Sequence, residues 1–174
     1  DAERLAALYT AGGPGRGPVR IDQMGAAALQ RPECLSGGGG LVGTAADYHR
    51  FCQMLLRGGE LDGTRLLGTR TVEYMARNHL PGGADLEQFG RPLFAETTYD
   101  GVGFGLGFSV VVDPVKNKVL SSAGEYAWGG AASTAFWVDP AEELTAVFLT
   151  QLLPSSTYPI RPQLKQLVYQ SLTD

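Results

Sequence analysis

Two cysteines and two histidines in 174 residues are too few for a disulfide framework or for a metal site that draws three or four ligands together. Cys52 falls in a helical pattern as a small core residue, and His49 and His79 stand apart without ligand spacing, so no metal is expected and no other cofactor is called for. Positive charge is scarce as well. Fourteen Lys and Arg against eighteen Asp and Glu leave a net charge of −4 and a pI near 5.2, which argues against nucleic acid as a partner. No apolar run nears the roughly 18 residues that cross a bilayer. The chain opens on Asp1-Ala2-Glu3-Arg4 with no Met, so it is expected to be cut from something longer, and the lack of a leader says nothing of compartment.

Nucleophile motifs are missing too. Ser-x-x-Lys needs a serine three residues before a lysine, but Lys116, Lys118 and Lys165 are preceded there by Asp113, Val115 and Pro162. Gly107-Phe108-Ser109-Val110-Val111 lacks the last glycine of a nucleophile elbow. No lysine follows a glycine-rich run, which excludes a Walker loop. Gly38 to Gly43 matches Gly-x-Gly-x-x-Gly with Glu60 downstream, yet no buried strand precedes it and no βαβ unit follows.

What the chain does have is glycine: 24 residues, clustered at 12–17, 37–43, 101–107 and 129–130, marking turns and close backbone approaches. Apolar content of 44% suffices for a core. The most informative stretch runs from Gly124 to Pro140. It reads as a strand, bare of side chains at Gly129 and Gly130, continued by apolar Ala135 to Val138 and ended by Asp139-Pro140. Such a strand can offer backbone N–H groups to a developing oxyanion. Trp128 beside the glycines suits the wall of a site. Tyr126 is expected to be packed and Glu125 to be solvated, as are Glu142 and Glu143 in a turn.

Elsewhere, residues 1–9 read as the end of a helix or an extended lead-in. Thr44 to Asp47 reads as a helix cap, followed by Tyr48, Phe51, Cys52 and Leu55 on one face and stopped by Arg57-Gly58-Gly59. Asp62-Gly63 predicts a hairpin. A second helix is predicted over Thr69 to Asn78, with Val72 and Met75 inward, and irregular chain over Gly83 to Asp100. Gly101 to Val110 alternates glycine with apolar residues and reads as one strand. A turn with its tip at Lys116 to Lys118 and a short return through Val119-Leu120 follow. Leu144 to Thr150 completes an antiparallel meander, and a helix over Arg161 to Ser171 is predicted to turn Leu164, Leu167 and Val168 inward.

These motifs, in this order, carry a resemblance. Ser36-Gly37-Gly38-Gly39-Gly40-Leu41-Val42-Gly43-Thr44-Ala45-Ala46-Asp47-Tyr48 is similar to the glycine-run, helix-start signature of β-lactamase-related serine hydrolases. Leu55 to Gly63, Leu66-Leu67, Asn78-His79-Leu80, Gly103 to Phe108 and the Trp128 strand through Gln151 continue it, so the match spans about residues 35 to 153. The chain resembles most the family VIII esterases, which share the fold of class C β-lactamases and penicillin-binding proteins.

The resemblance implies an α/β fold of α+β type, an antiparallel sheet flanked by helices plus part of a helical region. It also implies a single partial domain over 1–174, helix and loop over 1–100 and meander plus C-terminal helix over 101–174. It implies a Ser-x-x-Lys serine and a tyrosine in an N-terminal half that this chain lacks, which would then be its partner. Trp128-Gly129-Gly130 stands where lactamases carry Lys-Thr-Gly, so a small neutral ester suits the site better than a β-lactam. The same resemblance makes Trp128, Gly129 and Gly130 substrate-binding and Ala131 a backbone donor to the oxyanion. Ser133 and Thr134 would line the strand edge. By itself the chain is expected to be inactive and, with apolar surface uncovered, prone to self-association. A non-catalytic binding domain and a D-amino-acid peptidase are the rival readings. A bacterial cytoplasm or periplasm is the compartment implied.

Overall fold

The computed structural model describes residues 2–90 and 98–173. After a 3-10 turn at Ala2–Arg4 the lead-in is extended: β1 (Leu8–Thr10) pairs antiparallel with β2 (Val19–Ile21), Tyr9 opposite Arg20. A short α1 (Asp22–Ala27) follows. α2 (Ala45–Leu56) starts where the sequence predicts it. Thr44 Oγ1 accepts from the Asp47 N–H at 3.1 Å, the N-cap bond, and donates to Asp47 Oδ2 at 2.7 Å. The helix stops at Gly58-Gly59. Gly59 has φ +95° and a Cβ there would lie 2.3 Å from the Leu67 carbonyl oxygen, so only glycine fits. β3 (Glu60–Leu61) and β4 (Thr64–Arg65) form the Asp62-Gly63 hairpin, both turn residues at positive φ as a type I′ turn requires.

α3 (Thr69–Met75) ends three residues before the predicted stop. The chain leaves the helix because another strand satisfies it: His79 N–H donates to Phe104 O at 2.8 Å, and Asn78 Oδ1 accepts from Phe104 N at 3.1 Å. Within the stretch expected to be irregular, α4 (Leu86–Phe89) forms one turn capped by Asp85, whose Oδ1 accepts from Gln88 N at 3.0 Å. The rest of that expectation, at 91–97, lies outside the described residues.

The predicted single strand over Gly101 to Val110 is instead a hairpin, β5 (Val102–Phe104) and β6 (Ser109–Val111). Gly107 at φ +103° lets the chain reverse, and Leu106 N–H docks on Met75 O at 2.9 Å. The bare face is bare for a reason. A Cβ on Gly103 would lie 2.3 Å from Asn78 Cγ, and one on Gly105 2.1 Å from Met75 O. No strand forms at Val119-Leu120; Asp113 Oδ1 accepts from the N–H groups of Val115 and Lys116 and starts α5 (Pro114–Asn117).

The Trp128 segment is also two strands rather than one. β7 (Tyr126–Gly129) and β8 (Ala135–Asp139) pair antiparallel, with Trp128 opposite Phe136. β9 (Leu144–Phe148) extends the meander to five strands in the order β5-β6-β7-β8-β9. β10 (Leu152–Leu153) then runs parallel to β1, joining the two ends of the chain in a three-stranded sheet that the sequence does not announce. α6 (Ile160–Tyr169) closes the fold.

Helices flank the five-stranded sheet, as expected of this fold class. On one face, Cys52, Met54 and Leu55 of α2 and Val72 of α3 bury against Phe108, Val110, Tyr126, Phe136 and Val138. This is the apolar core, and fully burying such side chains is worth about 1.5–3 kcal/mol each. The opposite face carries α6, which is held differently. Arg161, Lys165 and Tyr169, one turn apart, form its inward stripe and meet the sheet through hydrogen bonds. Leu167, predicted inward, is exposed, because that polar stripe fixes the rotation of the helix.

Candidate functional site

The β7–β8 connection is a three-residue loop, Ala131-Ala132-Ser133, closed by Gly130 N–H to Thr134 O and by Ser133 N–H to Gly130 O, both 3.1 Å. Ser133 takes φ +69°, the left-handed position of a turn-plus-bulge hairpin. Its side chain explains why a non-glycine residue holds that conformation. Ser133 is buried, and its Oγ donates to Leu152 O at 2.7 Å while Leu152 N–H donates to Ala132 O at 3.1 Å. β10 thus fastens the loop from behind, and Ser133 is a structural anchor rather than a residue lining the strand edge.

Ladder parity then fixes where the backbone groups point. Gly130 N–H serves β8, whereas Val111 N–H donates to Glu125 O at 2.8 Å, so the odd-numbered residues of β7 face β6. β6 pairs no farther than Ala127, opposite Ser109. Ser109 Oγ donates to Ala127 O at 2.9 Å at that last pair. Beyond it the edge of Gly129 to Ala131 is open among the described residues. Ala131 is exposed, and its N–H, like that of Ala132 beside it, has no acceptor among the described residues.

Side chains alternate about this strand. Trp128 shares a face with Tyr126, is 43% exposed and meets Phe104 edge-to-face, with centroids 5.1 Å apart. Tyr126 is buried and packed, its phenol pushed up from its ordinary value by that burial and next by Cys52. On the other face, the guanidinium of Arg161 lies over Gly129, where a Cβ would come within 2.6 Å of Cζ. A cavity of 280 Å³ lies on this side, walled by Ser109, Ala127, Ala135, Trp137 and Pro162, with Gly130 and Ala131 among its lining residues.

Glu125, expected in solvent, is wholly buried. Lys165 pairs with its Oε1, and Tyr169 Oη lies 2.7 Å from its Oε2 and 2.6 Å from Asp139 Oδ2. Burial, with Glu125 and Asp139 next, raises the Tyr169 phenol from its ordinary value. The signal for this network was the four-residue spacing of Arg161, Lys165 and Tyr169, a helical stripe that apolar patterning passes over. Among the described residues no group of three or more His, Cys, Asp or Glu could hold a metal ion, and no helix is long and apolar enough to cross a membrane. The four residues singled out from sequence, Trp128, Gly129, Gly130 and Ala131, therefore lie together at one strand end, half in β7 and half in its turn.

The Beta-lactamase family model matches residues 1–170. The chain belongs to the beta-lactamase family. Two Mycobacterium tuberculosis proteins, Rv1367c of strain H37Rv and MT1414 of strain CDC 1551, are each 37% identical over 159 residues. The match covers 88% of this chain and 38% of theirs, so the chain spans well under half the length of these curated relatives. Among solved structures, a mutant of simvastatin synthase (LovD) from Aspergillus terreus superposes with a TM-score of 0.77 at 20% identity, over 97% of this chain and 43% of that one. EstCE1, a hydrolase with promiscuous acyltransferase activity, gives 0.71 at 24% identity, over 95% and 44%. A penicillin-binding protein homologue from Caulobacter crescentus gives 0.52 at 19% identity, over 70% and 30%. At these identities the structures speak for the fold alone, and that fold is the one of serine hydrolases related to β-lactamases and penicillin-binding proteins.

Proposed function

We propose that this chain forms one wall of a serine hydrolase site that cleaves small esters through an acyl-enzyme, with the nucleophile supplied by a part of the family fold that the chain does not span. One observation carries the reading. Ala131 presents an N–H without an acceptor among the described residues at a strand end, in a loop whose neighbouring carbonyls are tied back, beside the exposed indole of Trp128. In the acylation step a serine oxygen attacks the ester carbonyl carbon and the carbonyl oxygen takes up negative charge. The Ala131 N–H, fixed before reaction, donates to that oxygen together with the N–H of the nucleophile. The tetrahedral species collapses by expelling the alcohol, which leaves with the proton taken from the serine. Water then repeats the sequence on the acyl-enzyme.

The partner in this reading is the N-terminal half that carries Ser-x-x-Lys. Leu35, Leu41 and Val42 are 87%, 83% and 65% exposed, and a groove of 1330 Å³ runs beside Leu41, Val42, Tyr48 and β1. Exposed apolar side chains beside a groove of this size support burial by the rest of the fold, or by a second copy when that rest is missing. The motif strand has Trp128 where a cation would hold a β-lactam carboxylate, which favours a neutral ester. Because EstCE1 is a hydrolase with promiscuous acyltransferase activity, transfer of the acyl group to an alcohol instead of water is the second reading.

The test is hydrolysis of p-nitrophenyl acetate and butyrate by this chain alone and mixed with the complementary N-terminal portion. Activity only in the mixture is expected. Activity of the chain alone would place a nucleophile within it and overturn the shared-site reading. An inert mixture whose two parts bind each other would favour a non-catalytic binding domain.

A further inference from the structure

Arg161 makes an unusual set of bonds for a helical arginine facing a sheet. Its Nη2 donates to Gly130 O at 2.7 Å and to Thr134 O at 2.9 Å, and its Nε donates to Thr134 O at 3.2 Å. Those two carbonyls belong to the residues that close the Ala131-Ala132-Ser133 loop, so one planar guanidinium grips both sides of the loop's base. Gly129 is the condition for this contact, since any Cβ there would strike the guanidinium. The helix that delivers Arg161 is itself pinned. Lys165 is paired with buried Glu125 one turn on, and Tyr169 bonds Glu125 and Asp139 a turn later.

We infer that Arg161 is a positioning residue for the oxyanion donor, holding the carbonyls of Gly130 and Thr134 back toward α6 so that the N–H of Ala131 projects into the open edge. The inference rests on the reading of Ala131 given above. Two physical effects act together. Unrestrained, the loop would sample orientations in which the Ala131 N–H turns away, and a misplacement of about 1 Å in such a donor is worth on the order of a hundredfold in rate. In addition, two carbonyl oxygens near a developing oxyanion present partial negative charge, and the guanidinium offsets it. Lysine replaces the fork only in part, because a point ammonium can bond one carbonyl but cannot hold both in one plane.

The experiment reads Arg161→Met and Arg161→Lys in two ways. In this chain, exchange of the Gly130 amide, bonded to Thr134 O, is expected to accelerate about tenfold or more in the Met variant and less in the Lys variant. The Val111 amide, bonded to Glu125 O in the same sheet, should stay within about twofold. Gly130 unchanged, or rising only in step with Val111, overturns the inference. In the assembly with the complementary N-terminal portion, kcat for p-nitrophenyl butyrate should fall on the order of a hundredfold in Arg161→Met with KM within about twofold, and Arg161→Lys should recover part of it. An active native assembly whose variants keep kcat, or shift KM alone, overturns this inference and leaves the ester reading standing. A native assembly that is inert overturns the ester reading, and the catalytic part of this inference with it.

Discussion

Lys165 closes on Glu125 at a point where the carboxylate has no exposure to solvent and the lysine side chain is 15% exposed. A pair of this kind is not strong evidence of net stabilisation, since desolvation of both ions opposes their attraction. Removing one partner is a different matter. Lys165→Met should lower stability by about 3–5 kcal/mol by stranding a buried charge, and Lys165→Met with Glu125→Gln should recover most of that. Urea midpoints of the single and double variants check this; equal losses in both would show that the charge was never the issue.

Asp85 gives the fold an acid-sensitive joint. It is 5% exposed and accepts from Lys116 Nζ at 2.8 Å, from Gln88 N at 3.0 Å and from Gly101 N at 3.1 Å. The Lys116 bond first, then the two backbone N–H groups, pull its pKa down from 3.8 to about 2. The folded state thus binds this proton more weakly than the unfolded one does. The contribution is complete above the unfolded value and is lost as pH falls from about 4 through 2. Urea titrations across that window should show a steeper loss for the native chain than for Asp85→Asn. Parallel curves would contradict the assignment.

Gly105 sits where backbone meets backbone. A Cβ would come 2.1 Å from the Met75 carbonyl oxygen, and neither side can swing away, because Leu106 N–H is bonded to that same oxygen. Gly105→Ala should cost about 1–3 kcal/mol. Gly107→Ala, with open space around its Cβ but φ +103°, should cost about 1 kcal/mol through backbone strain alone. Thermal unfolding of the two variants ranks them, and the reverse order would contradict this account.

Trp128 packs by one edge and leaves much of its indole free. Trp128→Ala should therefore cost little stability, about 1 kcal/mol for the Phe104 contact. Its effect on kcat/KM for p-nitrophenyl butyrate in the assembled enzyme should be larger, about tenfold. Unchanged kinetics would remove Trp128 from the wall of the site.

Much of this was legible in the chain because local chemistry decided it. Thr44 with Asp47 announces α2, Asp62-Gly63 announces its hairpin, and Val72 and Cys52 fall on their apolar faces. The failures share one cause. Gly103, Gly105 and Gly129 look alike in sequence, but each is bare because a particular distant group lies against it: Asn78, Met75 and Arg161. Periodicity reports that a position is empty, not what fills the space. The burial of Glu125 escaped notice for a related reason, since a carboxylate reads as solvated until the lysine and tyrosine that pair with it, some 40 residues later, are brought alongside. The three-stranded sheet of β10, β1 and β2 depends on a pairing between opposite ends of the chain, which no window of sequence contains.

The alternation along β7 has a consequence for how this region can change over evolutionary time. Side chains of Tyr126 and Trp128 go to one face and that of Ala127 to the other, where Gly129 leaves room for Arg161, while successive peptide groups turn to opposite neighbours. Four directions are in use along four residues. Deleting or inserting one residue here would exchange all of them at once, sending the indole toward Arg161 and the open peptide edge toward β8. The strand therefore has a reading frame. Length variation should collect at 112–124 and 140–143, outside the phase of the ladder, while the span from Glu125 to Asp139 keeps its count.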